Sequence, residues 1–268
     1  MIYSLTIAPA IDYSLNRGDK EIKIDATNRP TSDGYSVGGK GITVSRRLKN
    51  LRVKNTPIVA VGGGMGKRLK NIIDKEFDKI IYLSVIGETR LDVRITGPHT
   101  DTRFNPSAPK VTEKGRQKRY TYLKKNLKKG DIVILSGSVG QERKDLYAEL
   151  RKDIIEPSGA LTIVDTTGES LTSVFPYHPF RIKPNDEELG DLLGRERKTD
   201  EDILEGGREL KKKGPVSVLV TRGSKGAYYF AEDGHIYHCS NAHGKQISAV
   251  GAGDSSIAGF IKGLEEGV

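Results

Sequence analysis

The chain has 268 residues, of which 35% are hydrophobic and 29% charged, and its formal net charge is +9. This length is sufficient for one large hydrophobic core, and no apolar run approaches the length of a membrane span. The single cysteine, Cys239, excludes an internal disulfide framework and a metal site of several thiolates. The first residues lack the layout of a signal peptide, so we expect a cytoplasmic protein with no membrane partner.

Lysine and arginine residues are concentrated in three runs, at residues 116–119, 124–129 and 211–213. Clustered basic side chains bind nucleic acid by releasing counterions from its phosphates. These runs lie on helix-like segments with acidic residues nearby, which is typical of solvated helix faces. We therefore expect no nucleic-acid partner, and the positive charge favours small anionic substrates.

The hydrophobic periodicity alternates between strand-like and helix-like along most of the chain. In the first half we predict strand 3–7, strand-like alternation at 21–24, helix 42–51, strand 57–61, helix 67–76, strand 80–85 and a hairpin of 89–95 with 100–105. In the second half we predict helix 117–127, strand 132–136, helix 143–152, strands 161–165 and 180–183, helices 186–193 and 200–212, strand 216–221, hairpin 227–231 with 235–239 and a last helix at 256–262. This order predicts an α/β fold with a central, mostly parallel sheet covered by helices on both faces.

Small or polar residues follow many of these strands. They are Asp12, Gly38 to Gly41, Gly62 to Gly64, Ser136-Gly137-Ser138, Asp165-Thr166, Lys183-Pro184-Asn185 and Thr221-Arg222-Gly223. Ligands of parallel sheets bind at the carboxyl ends of the strands. The series therefore predicts a cleft along that edge.

The most informative motif is Val250-Gly251-Ala252-Gly253-Asp254-Ser255, which enters the last predicted helix. Its small residues let backbone N–H groups approach an anion, and the helix N-terminus adds about half a positive charge. Asp254 is placed to accept a proton from a hydroxyl group while the amides stabilise a transferring phosphoryl group. From the motif alone, an aspartate that only caps the helix is the alternative.

A second glycine-rich stretch, Gly62-Gly63-Gly64-Met65-Gly66-Lys67-Arg68, only superficially matches a phosphate-binding P-loop. Val61 occupies the position of the first glycine, and Arg68 replaces the Ser or Thr that would hold magnesium. We do not expect this segment to bind a nucleotide as a P-loop does.

Motifs in order along nearly the whole chain resemble those of the ribokinase-like (PfkB) carbohydrate kinase family. They are Gly38-Gly39-Lys40-Gly41, Ser136-Gly137-Ser138, Lys183-Pro184-Asn185-Asp186-Glu187-Glu188-Leu189, Val220-Thr221-Arg222-Gly223-Ser224-Lys225-Gly226-Ala227 and the Asp254 motif. Within the family, Thr89-Arg90 followed by a strand is similar to the sugar-phosphate kinases, namely tagatose-6-phosphate kinases, 1-phosphofructokinases and minor bacterial 6-phosphofructokinases.

The resemblance implies a three-layer ribokinase-like fold over residues 1–268, with a small β-sheet lid formed by about 13–36 and 88–106. Such lids pair between two subunits, which implies a homodimer. The implied cofactors are ATP and Mg²⁺, with K⁺ as a further ion. The C-terminus is short for the family, whose members continue with about one more helix pair that completes the adenine pocket and a potassium site.

The resemblance also implies a role for individual residues. Asp254 is the catalytic base, and Gly251, Ala252 and Gly253 form the anion hole with it. Substrate contacts are implied for Asp12, Gly38, Gly39, Lys40, Thr43, Ser138, Arg90 and Arg103, the last two holding the phosphate already on the substrate. Nucleotide contacts are implied for Lys183, Asn185, Thr221, Gly223, Gly226 and Ser248, and Glu188 positions magnesium through water.

For the substrate, Ala8 and Arg103-Phe104 resemble the minor 6-phosphofructokinases, so we expect conversion of fructose 6-phosphate to fructose 1,6-bisphosphate. The alternatives are 1-phosphofructokinase and tagatose-6-phosphate kinase activity, because Thr43 and Asp92 each stand where the family commonly has Asn. An alternative of another class is a non-catalytic protein that binds a sugar phosphate or a nucleotide.

Overall fold

The computed structural model describes residues 1–196, 199–241, 244 and 251–267. Nearly all the predicted strands and helices are present. The strands are β1 Ile2–Thr6, β2 Ala10–Asn16, β3 Ser32–Gly38, β4 Asn55–Val61, β5 Ile81–Ser84, β6 Arg90–Gly97, β7 Thr100–Phe104, β8 Ile132–Ser136, β9 Leu161–Asp165, β10 Arg181–Ile182, β11 Ser217–Thr221, β12 Ala227–Phe230 and β13 Ile236–Cys239. The α-helices are α1 Lys40–Asn50, α2 Gly63–Ile73, α3 Glu113–Asn126, α4 Leu146–Leu150, α5 Glu156–Ser158, α6 Glu169–Thr172, α7 Asp186–Leu193, α8 Asp200–Lys212 and α9 Ala252–Glu266.

The large sheet has the strand order β13-β12-β11-β10-β9-β8-β1-β4-β5 in the described part of the chain. All neighbouring pairs from β11 to β5 are parallel, whereas β12 and β13 pair antiparallel at one edge. The central strands β1 and β8 are buried along their whole length, as expected of parallel strands that helices cover on both faces. The predicted mostly parallel sheet is confirmed.

Helices cover both faces of this sheet. On one face, Val44 and Leu48 of α1 pack with Ile257 and Ile261 of α9 against the strands. On the other face, α3, α4, α7 and α8 contribute buried side chains to a second cluster, which are Leu123, Leu146, Leu150, Leu189, Ile203 and Leu210. The sheet and its two helical layers form the predicted three-layer fold. No helix in the described ranges is both long and apolar enough to cross a membrane.

A second, four-stranded sheet has the order β3-β2-β6-β7. β2 pairs antiparallel with β3 and parallel with β6, and β6 forms a hairpin with β7. The segments 13–36 and 88–106, which the sequence predicted to form a small sheet, supply most of these strands. Residues Asp12 and Asp92 are register partners, as are Arg94 and Arg103, so that these side chains share one face of the sheet.

Several local predictions need correction. Residues 21–24 form no strand, and strands β2 and β3 lie on either side of them instead. The predicted helix over 143–152 is the short α4, which continues through a π-helical turn, Arg151–Ile155, into α5. Helices α2, α3 and α9 begin at Gly63, Glu113 and Ala252, each four residues before the predicted start, and Asp254 lies in the first turn of α9.

Candidate active site

Four charged side chains converge where the parallel strands of the large sheet end. Asp165 is the last residue of β9, Lys183 follows β10, Lys40 begins α1 and Asp254 lies in the first turn of α9. The Nζ atoms of Lys40 and Lys183 lie 3.1 Å and 3.3 Å from Oδ1 of Asp165. Parallel strands bring these residues together because all their carboxyl ends meet at one edge.

The carboxyl group of Asp254 is buried, and its pKa is raised to about 6. Burial is the largest cause and the negative charge of Asp165 the next, whereas Lys40, Lys183 and Arg47 lower the pKa. A carboxylate with this pKa is largely ionised at neutral pH and is a stronger base than an ordinary aspartate. Asp254 therefore has the environment of a general base. No side-chain hydrogen bond caps α9 within the described residues, so the alternative of a simple capping aspartate is not supported.

The N-terminus of α9 is built from residues without large side chains. Gly251 has a φ of 80°, in the left-handed region that favours glycine. A Cβ atom on Gly253 would lie 3.0 Å from Nζ of Lys183, and one on Gly251 would lie 3.3 Å from Cγ2 of Thr43. The first N–H groups of a helix have no intrahelical partner, so this end offers donors beside Asp254 and Lys183.

Asp12 and the glycine turn after β3 lie close together. A Cβ atom on Gly38 would stand 2.4 Å from Oδ2 of Asp12, so a larger residue there would displace the Asp12 carboxylate, and Gly39 has a φ of 124°. Burial raises the pKa of Asp12, as does the charge of Asp92. The guanidinium groups of Arg90, Arg103 and Arg46 act in the opposite direction. Asp12 thus lies in a group of charged side chains on the face of the small sheet.

The two arginines predicted to bind a phosphate differ in their surroundings. Nη2 of Arg90 lies 3.3 Å from the carbonyl oxygen of Ala8 and 3.4 Å from Oδ2 of Asp92. Its Nε is buried and has no hydrogen-bond partner among the described residues. Arg103 is half exposed, and its Nη2 lies 3.7 Å from Asp101. Arg90 is therefore fixed in place with a donor left over, whereas Arg103 is held only loosely.

On the other side of Lys183, residues predicted to contact a nucleotide form the start of α7 and the turn after β11. The Asn185 side chain accepts a hydrogen bond from the Glu188 N–H at 2.7 Å, and Oε2 of Glu188 accepts one from the Asn185 N–H at 2.9 Å. This capping box fixes both side chains near the sheet edge. The N–H of Thr221 donates to Pro184 at 3.1 Å and so joins the two segments.

The turn after Thr221 depends on two glycines. Gly223 and Gly226 have φ values of 53° and 86°, and a Cβ atom on Gly226 would stand 2.1 Å from the carbonyl oxygen of Cys239. Arg222, between Thr221 and Gly223, is buried and pairs with Asp200. The predicted contact residue Ser248 lies outside the described residues.

A cavity of about 300 Å³ is lined by Lys40, Ser138, Lys144, Thr166 and Glu188, among others. The cavity extends from the loop of Ser138 to the capping box of α7. A separate cavity of about 560 Å³ lies between α3 and α4, where the charged side chains of Arg116 and Glu142 pair with each other. None of the predicted site residues lines that second cavity.

The glycine-rich segment that begins α2 does not present its N–H groups to a ligand. Both carboxylate oxygens of Glu88 accept hydrogen bonds there, from the N–H of Gly64 at 3.0 Å and of Met65 at 2.9 Å. These bonds lower the pKa of Glu88. The helix end is occupied by a side chain of the same protein, which agrees with the rejection of a P-loop.

Two acidic residues of the site had no predicted role. Asp165 was recognised only as a strand exit, although it holds both lysines beside Asp254. Asp92 was noted as a replacement of Asn that puts negative charge near the expected phosphate site, and its Oδ1 is buried without a partner among the described residues. The strand-exit pattern was a sufficient signal for Asp165, and no local pattern distinguishes Asp92 from other strand residues.

The fold and this site are those of an α/β phosphotransferase, with a buried carboxyl group at a helix N-terminus. The model of the pfkB family of carbohydrate kinases matches residues 1–268. The chain belongs to this family and is a carbohydrate kinase.

Individual relatives are similar over most of their length. The chain is 32% identical to the 1-phosphofructokinase of Bacillus subtilis over 267 residues, which cover 99% of this chain and 86% of that protein. It is 30% identical to the tagatose-6-phosphate kinase of Staphylococcus epidermidis, with 98% and 85% covered. The crystal structure of Escherichia coli phosphofructokinase-2 in complex with fructose-6-phosphate is 25% identical, with a TM-score of 0.86 and 100% and 88% covered.

Proposed function

We propose that the protein transfers the γ-phosphoryl group of ATP to a hydroxyl group of a phosphorylated ketohexose. The observation that carries this proposal is the buried Asp254, with its raised pKa, at the open N-terminus of α9 and beside Lys183. Arg90 supports a phosphorylated substrate, because its buried Nε has no partner among the described residues and lies on the same small sheet as Asp12.

In the proposed reaction, the oxygen of the substrate hydroxyl forms a bond to the γ-phosphorus, and Asp254 accepts the proton of that hydroxyl. The bond from that phosphorus to the bridging oxygen of ADP breaks, and ADP leaves. The N–H groups at the start of α9 and the ammonium group of Lys183 stabilise the negative charge of the transferring group. Asp12 and the turn of Gly38 and Gly39 hold the sugar.

The residues also fit a magnesium ion bound together with nucleotide phosphates. The described residues contain no cluster of three or more possible metal ligands, so a cage formed by the protein alone is not supported. Oδ2 of Asp165 is buried and has no hydrogen-bond partner among the described residues. The carboxylate of Glu188 is close enough to Lys40 to raise the pKa of that lysine. Magnesium in kinases is held by one or two carboxylates and the phosphates, whose charge it neutralises, so Asp165 and Glu188 would hold it. A potassium site stays a prediction.

Three substrates are in question, and one of them is tagatose 6-phosphate, because a relative that is 30% identical is named tagatose-6-phosphate kinase. Arg103 and Ala8 led the sequence analysis to fructose 6-phosphate, the product then being fructose 1,6-bisphosphate. Fructose 1-phosphate is the second candidate, because a relative that is 32% identical is named 1-phosphofructokinase. A cytoplasmic location and a homodimer formed through the small sheet as a lid also remain part of the proposal.

The test measures ADP release with fructose 6-phosphate, fructose 1-phosphate, tagatose 6-phosphate and free ribose. We expect turnover with at least one phosphorylated sugar. Substituting Asp254→Asn should lower kcat by at least about 10²-fold, the usual contribution of a general base, while binding of the sugar phosphate stays nearly unchanged. Unchanged kcat in this variant would refute the assignment of the base. Binding without turnover in the wild-type protein would instead favour the non-catalytic alternative.

A further inference from the structure

Asp92 is an acidic residue of the small sheet with no role in the proposed reaction. It is the register partner of Asp12, and its side chain, 14% exposed, lies on the same face as Asp12 and Arg90. Its Oδ2 is 3.4 Å from Nη2 of Arg90, and its Oδ1 is buried without a hydrogen-bond partner among the described residues. Leaving such an atom unpaired costs about 1–3 kcal/mol, so a bound ligand that pairs with it gains affinity.

The unpaired atoms of Asp92 and Arg90 require opposite partners. Nε of Arg90 needs an acceptor, which a phosphate oxygen provides. An ionised carboxylate only accepts hydrogen bonds, and a phosphate dianion has no proton to donate. A phosphorylated sugar therefore satisfies both side chains only if it carries a hydroxyl group close to its phosphate.

A fructose 1-phosphate and a fructose 6-phosphate differ at this point. In the furanose ring of fructose, the carbon next to C1 is C2, which carries the anomeric hydroxyl group. The carbon next to C6 is C5, which carries only hydrogen and the ring oxygen. A 1-phosphate therefore has a hydrogen-bond donor beside its phosphate, whereas a 6-phosphate has an acceptor that an ionised carboxylate repels. The remaining hydroxyls at C3 and C4 exchange places when the ring is turned over.

We propose that Asp92 determines specificity by accepting a hydrogen bond from the anomeric hydroxyl of a ketohexose 1-phosphate, and that it disfavours the 6-phosphate. This inference rests on the proposed function, because it takes Arg90 as the ligand of the substrate phosphate. It chooses fructose 1-phosphate over the fructose 6-phosphate expected from sequence. An asparagine at this position would instead offer an N–H to the ring oxygen of a 6-phosphate.

The test compares kcat/KM for fructose 1-phosphate, fructose 6-phosphate and 2,5-anhydromannitol 1-phosphate, which lacks the anomeric hydroxyl. Assays are run at about pH 8, well above the ordinary pKa of a carboxyl group. The wild-type enzyme should favour fructose 1-phosphate over the other two by about 10- to 100-fold, the range for one hydrogen bond to a charged group. Asp92→Asn should remove most of this preference. The matched control Asp12→Asn, which changes the neighbouring carboxylate, should weaken all three substrates by similar factors.

The same ratios are also measured as binding constants in the Asp254→Asn background, so that they do not depend on turnover. The inference is overturned if the wild-type enzyme does not distinguish the anhydro sugar from fructose 1-phosphate. It is equally overturned if it prefers the 6-phosphate or if Asp92→Asn keeps the wild-type ratio. Absence of ADP release with every phosphorylated sugar would overturn the proposed function itself, which is a different result from altered ratios.

Discussion

Substituting Asp165→Asn is expected to move the pH profile of the enzyme to more acidic values. The pKa of Asp254 is raised from 3.8 to about 6, and Asp165 is the second cause after burial. A nearby negative charge makes a carboxyl group hold its proton more tightly, so removing that charge lowers the pKa. Lys40 and Lys183 remain and act in the same direction. We expect a fall on the order of one pKa unit, which corresponds to about 1.4 kcal/mol.

Catalysis requires the ionised form of Asp254, so kcat of the wild-type enzyme should fall as the pH decreases below about 6. In Asp165→Asn this acid limb should shift to lower pH, and kcat at its plateau should also fall because Asp165 is one of the two residues proposed to hold magnesium. The variant should also be less stable, because Lys183, 5% exposed, loses the partner of its buried ion pair. Breaking such a pair costs about 3–5 kcal/mol, and we expect the lower end because Lys40 is 38% exposed and can turn towards water.

The assays are kcat as a function of pH and urea unfolding followed by circular dichroism. Asp131→Asn is the matched control, because Asp131 is also a mostly buried carboxylate, paired with the amino group of Met1 at the opposite edge of the sheet. This control should lose stability without any shift of the acid limb. An acid limb that stays in place or moves to higher pH in folded Asp165→Asn would show that Asp165 does not set the pKa of Asp254.

Two further substitutions test the neighbouring groups. Arg90→Ala should raise KM for the phosphorylated sugar by about 10- to 100-fold and change kcat less, because it removes a charged donor to the phosphate. An equal rise in KM for an unphosphorylated sugar would contradict this role. Gly253→Ala should slow turnover, because the new Cβ would lie 3.0 Å from Nζ of Lys183. The melting temperature should not fall, because alanine has a higher helix propensity than glycine. A wild-type kcat in this variant would show that Lys183 need not stay beside the start of α9.

Much of the fold could be predicted because its signals are local. The strands at residues 132–136 and 161–165 and the helices at 186–193 and 200–212 have the predicted bounds. Each of these strands is a short apolar run, and each helix begins with a capping box that fixes its first residue. The strand expected at 21–24 failed because alternation over four residues does not provide a partner strand, and the chain there forms hydrogen bonds within its own loop, such as Lys23 with Asn28.

The residues of the candidate site also divide into those that local sequence patterns predict and those that they do not. Asp254 and the glycines before it were recognisable because anion hole and base follow one another in the chain, so the chemistry depends only on the local start of α9. The contact of Lys40 with Asp165 joins residues 125 positions apart, and it exists because α1 packs on β1 and β8 and because β9 is the next strand in the sheet. Hydrophobic periodicity identifies strands but contains no information about their order.

The position of Asp92 depends on a still finer property, the register of β6 against β2. Side chains alternate between the two faces of a strand, so a slip of one residue would move Asp92 to the face that carries Tyr13 and Val93. In the observed register Asp92 instead lies opposite Asp12 and beside Arg90. Asp92, which stands where the family commonly has Asn, therefore lies next to Arg90, the residue proposed to bind phosphate. Its additional acceptor and its negative charge would both act on the substrate there. In the mechanism proposed above, the choice between two nearly symmetric sugar phosphates therefore depends on the pairing of two strands, whereas the transfer of the phosphoryl group depends on the start of one helix.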